Sequence, residues 1–96
     1  MASVTPAQRW MQRVAAIGCV ICLQLGLGAT PAEIHHVAEG SGLRSDFAVA
    51  PLCSEHHRGE SGLHTMGVKA FCSLYRIPGE SEYGLLVLVN QRLARA

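Results

Sequence analysis

A small α+β fold assembled around metal is what this sequence predicts, on three observations. Cys19-x-x-Cys22 is answered downstream by Cys53-Ser54-Glu55-His56-His57, and between the two halves lies a second doublet, His35-His36. Two short runs with β-branched residues flank a Gly-Ser-Gly connection, the pattern of an antiparallel hairpin. Apolar residues at helical spacing precede the first cysteine and follow the last histidine.

The elements follow in chain order. Thr5-Pro6 reads as an N-cap and a proline at the first helical position, after which Trp10, Val14 and Ile17 share one face; a helix of about three turns runs toward Gly18. Gly18 delivers the chain into the Cys19-Val20-Ile21-Cys22 knuckle, and Leu23 to Thr30, with Gly26 and Gly28, reads as a loop. Glu33 to Val37 is a first short strand, Ala38 to Ser45 a flexible connection, and Phe47 to Leu52 a second strand whose Pro51 suits an edge or an exit. Cys53 to Arg58 can begin a helix limited by Gly59 and Gly62. From Thr65, the residues Val68, Phe71, Cys72 and Tyr75 make one apolar helical face ending before Pro78-Gly79. Leu86, Val89 and Leu93 give a last helix, while the apolar run Leu85 to Val89 leaves a strand possible.

The 96 residues are expected to form one domain, 1–96, near the size at which a hydrophobic core alone gives comfortable stability. Large core side chains are scarce: one Trp, two Tyr and two Phe. A structural zinc would add about 10 kcal/mol of folding free energy, comparable to the whole stability of a small domain. The formal net charge of +1 argues against holding nucleic acid by bulk electrostatics, so a DNA contact would be local. Most basic residues read as solvated surface, but Arg44 and Arg58 each lie beside a histidine cluster. No run approaches the roughly 20 apolar residues of a membrane span, and the N-terminus lacks the pattern of a signal peptide. The expectation is therefore a cytoplasmic protein without a membrane partner, in which cysteines favour metal over disulfides.

Cys19, Cys22, Cys53 and His56 have the count, chemistry and spacing of a closed tetrahedral zinc site. A thiol redox role for Cys19-Cys22 would call for a βαβ setting, which is absent, and Cys72 reads as an ordinary buried thiol. Three of the five histidines belong to none of this. Adjacent strand residues face opposite ways, so one ring of His35-His36 can bind a metal while its neighbour meets water or substrate from another side. His57 follows the zinc ligand His56 directly and is delivered to a fixed place. On a continuous helix His64 would stand roughly 10.5 Å from His57, too far to share an ion. Gly59 and Gly62 argue against continuity, leaving His64 to loop back as a third ligand or to touch phosphate.

Taken together, Cys19-x-x-Cys22, Glu33-Ile34-His35-His36-Val37, Arg44-Ser45-Asp46-Phe47, Pro51-Leu52-Cys53-Ser54-Glu55-His56-His57 and Gly62-Leu63-His64-Thr65-Met66-Gly67 resemble the HNH, or ββα-metal, endonucleases. Within them they resemble the Ref-like group, named for recombination enhancement and RecA-dependent nuclease activity. The resemblance covers about residues 19–76. It implies a β-hairpin and helix (the ββα-metal, or His-Me finger, core) cradling one catalytic ion beside a structural zinc knuckle, with flanking helices. By that likeness His35 and His57 are metal ligands, His36 is the general base, and the products carry 5′-phosphate and 3′-hydroxyl ends. Many relatives carry an Asn that orients the base histidine; here Ala48 stands in its place, so the task passes to a backbone carbonyl or a neighbour such as Asp46.

Phosphodiester hydrolysis needs an activated water, stabilised charge on the phosphoryl oxygens, and help for the leaving oxygen. His36 suits the first task, and Arg44 or Arg58 could hold a flanking phosphate. The imidazole-rich site suits Zn²⁺, Ni²⁺, Co²⁺ or Mn²⁺ better than Mg²⁺, although phosphate and water could supply the oxygens that Mg²⁺ prefers. The leading expectation is a metal-dependent DNA endonuclease of phage or prophage origin, with DNA and, by resemblance, a RecA-type filament as partners. The alternatives are a non-catalytic zinc module that binds DNA or protein and, more remotely, a thiol oxidoreductase.

Overall fold

A computed structural model describes residues 3–38 and 42–95 of the chain. Its first helix, α1 (Pro6–Ala15), opens on a reciprocal cap. Thr5 Oγ1 accepts from the Gln8 amide at 3.1 Å, and Gln8 Oε1 accepts from the Thr5 amide at 2.9 Å. The helix is tied to the rest of the fold by Trp10, whose indole N–H donates to the Phe47 carbonyl at 3.1 Å.

Cys19 caps a second helix, α2 (Val20–Gln24), its sulfur accepting the Cys22 amide at 3.4 Å. The expected loop at 23–30 is thus shorter at its start. Leu23 donates back to the Cys19 carbonyl and is held in the helix. The hairpin forms as expected but is trimmed to β1 (Glu33–His36) and β2 (Val49–Leu52), antiparallel with His35 opposite Ala50 and His36 opposite Val49. Phe47 and Ala48 stay out of the second strand because the Ala48 amide turns back to the Ser45 carbonyl. Part of the connection expected to be flexible, residues 39–41, lies outside the described residues. Pro51 is tolerated because each strand of a two-stranded sheet is an edge.

The motif at Cys53 repeats the geometry of Cys19: its sulfur accepts the His56 amide at 3.4 Å and caps α3 (Ser54–Arg58). The helix expected from Thr65 divides into α4 (Leu63–Met66) and α5 (Val68–Leu74). Gly67, at φ 88° and ψ 157°, adopts a backbone that no continuing helix uses. After a 3₁₀ turn at Pro78–Glu80 comes α6 (Gly84–Ala94). Here the Leu85 to Val89 run is helix and not strand. Leu85, Leu88 and Val89 are buried while Val87 is exposed, a period of 3.6 rather than 2.

All four residues of β2 are buried, and α1, α2 and α6 pack against that strand. Val14, Ile21, Leu52, Phe71 and Leu85 fill the core. The result is the α+β architecture expected, with the hairpin and α3 placed to bring both cysteine knuckles and the histidines together. Among the described residues no helix is long and apolar enough to cross a membrane.

Candidate functional site

The two Cys-capped helix starts, α2 and α3, bring their side chains together. Their side chains form a four-membered group, Cys19, Cys22, Cys53 and His56, all buried. Ideal zinc bond lengths of about 2.3 Å to sulfur and about 2.05 Å to nitrogen set tetrahedral edges of about 3.8 Å for S···S and about 3.6 Å for S···N. The Cys22–Cys53 sulfur separation is 3.8 Å, and His56 Nδ1 stands 3.6, 3.5 and 3.2 Å from the sulfurs of Cys19, Cys22 and Cys53. These four separations lie within about 0.4 Å of the ideal edges, and the group could hold a structural metal. Burial, ahead of all other causes, pushes the Cys19 thiol up to about 12, so a thiolate here needs a cation to compensate its desolvation. No disulfide joins any of these cysteines, and Cys72 is buried on α5 as expected.

Tyr75 links this group to what lies beside it. Its ring meets His56 edge-on with centroids 5.3 Å apart, and its hydroxyl donates to the Ser61 carbonyl at 2.9 Å. Ser61 belongs to the turn between α3 and α4, which Glu55 holds by accepting from both the Ser61 amide and its hydroxyl, at 2.9 and 2.7 Å. A Cβ on Gly62 would stand 2.6 Å from the Glu55 carbonyl oxygen and 2.8 Å from the Arg58 nitrogen. Only glycine lets the chain double back so tightly onto α3.

That reversal decides where His64 goes. It returns to His57, with the two Nε2 atoms 3.1 Å apart, and with His35 they form a second group of donors all within 4.8 Å of one another. Edges of about 3.0 and 3.4 Å are expected for nitrogens on one ion in octahedral and tetrahedral sites, so the His57–His64 pair fits either. A neutral-imidazole donor set of this kind suits a borderline divalent cation. Of the two options open to His64, the structure places it with the ligand candidates.

The tautomers follow from the partners. Glu33, on the His35 face of β1, accepts from His57 Nδ1 at 2.8 Å. It also receives a two-pronged contact from Arg58, at 3.0 and 2.7 Å. Arg58 first and His57 second pull its carboxyl down to about 2, so it is a pure acceptor. The proton of His57 therefore sits on Nδ1, and its Nε2 lone pair points at the group. His35 is 5 % exposed. Burial first, then the potential of His57, His64 and His36, pushes it down to about 4, leaving a neutral ring at pH 7. Its Nε2 lies 2.5 Å from Glu82 Oε1. His64 is also lowered, by burial and then by His57.

His36, the next residue on β1, has different partners from His35. Arg44, which can only donate, places a nitrogen 3.1 Å from His36 Nδ1, so that atom carries the lone pair. Nε2–H then donates to Asp46 at 2.8 Å. Asp46, one of the two candidates for orienting this ring, is in contact with it. Ile34, His35, His36, Arg44, His57 and His64 line one cleft of about 260 Å³. Arg58 stands apart from that wall, its fork on Glu33. Two acidic partners, Glu33 and Glu82, were not assigned roles from sequence. Alternation along β1 could have flagged Glu33, whereas nothing local points to Glu82.

Against known families, the model described as recombination enhancement, RecA-dependent nuclease matches residues 4–86. No curated protein and no solved structure matches the chain.

Proposed function

The chain belongs to the recombination enhancement, RecA-dependent nuclease family, and from that premise we propose that it is an HNH-type, metal-dependent DNA endonuclease. Its cleft uses His36 as general base and His35, His57 and His64 as ligands of a divalent ion. One observation carries this reading: the neighbours His35 and His36 are divided between a donor group and an Asp46-oriented ring, so ligand and base stand side by side on one short strand.

His36 Nδ1 takes the proton of the attacking water, and Asp46 keeps the opposite N–H in place and stabilises the imidazolium that results. Arg44 donates to Nδ1 in the absence of DNA. A phosphate oxygen is the stronger acceptor for a guanidinium, so an incoming backbone draws Arg44 away and uncovers the base while fixing the phosphate. Arg58 serves a flanking phosphate with the donors that Glu33 leaves over. When bound at the three histidines, the ion supplies charge neutralisation at the phosphoryl oxygens and the leaving oxygen. Cys19, Cys22, Cys53 and His56 hold structural zinc. A net charge of +1 is too small to gather DNA by itself, which favours presentation of the substrate by a RecA-type filament, in keeping with the family's name.

The test is cleavage of supercoiled plasmid and of RecA-coated DNA with Mg²⁺, Mn²⁺ or Ni²⁺, wild type beside His36→Ala. Wild type should cut in at least the filament arm, and the variant should be slower by roughly 10²–10⁴-fold. No cutting by wild type in either arm, or equal cutting by the folded variant, sinks the catalytic reading and leaves a zinc-stabilised binding module.

A further inference from the structure

Glu82 is 5 % exposed, comes from the turn just before α6, and its carboxylate meets a strand residue 47 positions earlier in the chain. Burying a carboxyl group in a protein of this size is costly unless its partners repay the desolvation. The turn that carries it is rigid. Gly84 donates to the Ser81 carbonyl at 2.8 Å and Leu85 to the Glu82 carbonyl at 3.0 Å. Gly84 itself packs so closely on the Pro78 carbonyl and Ile77 that a side chain there would collide with both. Leu85, the next residue, is fully buried. The carboxylate is therefore aimed by backbone at His35 and is not a surface group that happens to reach it. It also shares the wall of a second cleft, of about 380 Å³, with His35, His36 and His64.

We infer that Glu82 is a positioning residue for metal binding: by accepting the Nε2–H of His35 it fixes that ring's tautomer and orientation, leaving Nδ1 for the ion. This rests on the assignment of His35 as a ligand. Glu33 bears the same relation to His57 through Nδ1, so the two rings are held by carboxylates on opposite nitrogens. A carboxylate behind a ligating imidazole makes the ring a stronger donor and removes its rotational freedom, and loss of such a partner typically weakens metal affinity 10- to 100-fold, roughly. The α6 turn, outside the hairpin and helices that carry the donors, thereby completes the site.

The experiment is calorimetric titration of zinc-loaded protein with Ni²⁺, comparing wild type, Glu82→Gln, Glu82→Ala and His35→Ala, with zinc content and circular dichroism as controls for folding. Glu82→Gln keeps an acceptor but loses the charge, and should bind Ni²⁺ about 10-fold more weakly; Glu82→Ala should approach 100-fold, roughly. His35→Ala should lose the site. If His35→Ala binds Ni²⁺ as wild type does, the ligand assignment beneath the inference fails. If His35→Ala loses the ion while the folded Glu82 variants bind it unchanged, Glu82 is only a packing residue and the inference alone is overturned. Should Glu82→Ala not fold, the near-isosteric Glu82→Gln decides by the same criterion.

Discussion

His56 and His57 share a peptide bond but sit in opposite surroundings. His56 belongs to a group of four donors that are all buried, three of them sulfur; His57 belongs to three imidazoles that grade from buried His35 to exposed His64. The first group closes on itself, with four donors at the corners of a tetrahedron and no direction left for a substrate. The second has three donors, a cleft in front of it and, beside it, the His36 ring held by Asp46. Saturation of the coordination sphere and burial of its donors thus separate a site suited to holding the chain from one suited to reacting.

The comparison can be broken most violently at the closed site. Cys53→Ser, or chelation of the metal, should remove about 10 kcal/mol, more than a domain this small can lose, so circular dichroism should show an unfolded chain at room temperature. A cooperative melt that is indifferent to zinc would erase the distinction between the sites. His57→Ala should do the reverse, leaving zinc content and the melting curve nearly intact while DNA cleavage falls by roughly 10³-fold, the worth of several kcal/mol at the transition state. Unfolding of that variant would show that both groups are structural. Asp46→Ala tests the proposed base without touching either group of donors. Cleavage should drop by roughly 10²-fold with Ni²⁺ affinity unchanged, and unchanged turnover would mean that His36 needs no orienting partner. Gly62→Ala probes the turn that brings His64 home. Overpacking against the α3 backbone should cost about 1–3 kcal/mol, read as a lower melting temperature, together with weaker Ni²⁺ binding; full Ni²⁺ affinity would show that His64 is dispensable.

How much of this was legible from the residues depends on how far apart the partners lie. The Thr5 cap, the helix start at Cys53 and the hairpin are local patterns, and each appears in the structure close to where the sequence places it; the short helix led by Cys19 stands where the sequence reads only a knuckle and a loop. The short apolar run at Leu85 was ambiguous because four or five residues do not fix a period; burial against β2 and α2 chose helix. The helix expected from Thr65 was cut by Gly67, whose positive φ no periodicity count can foresee. The histidine group was partly legible. Spacing alone left His64 undecided, because its return depends on the backbone contact at Gly62. Glu82 was invisible, since its partner is distant in sequence and a lone Glu between Ser81 and Tyr83 resembles any surface acid.

The bond between His56 and His57 also has a thermodynamic consequence. Because both lie in the five-residue helix α3, an ion bound at one group biases the conformation that the other requires. Linkage is reciprocal, so each ion should raise the affinity for its neighbour by the same factor. A chain that has not yet acquired zinc would then lack an assembled cutting centre, and loading of the buried ion would act as the interlock that arms the exposed one.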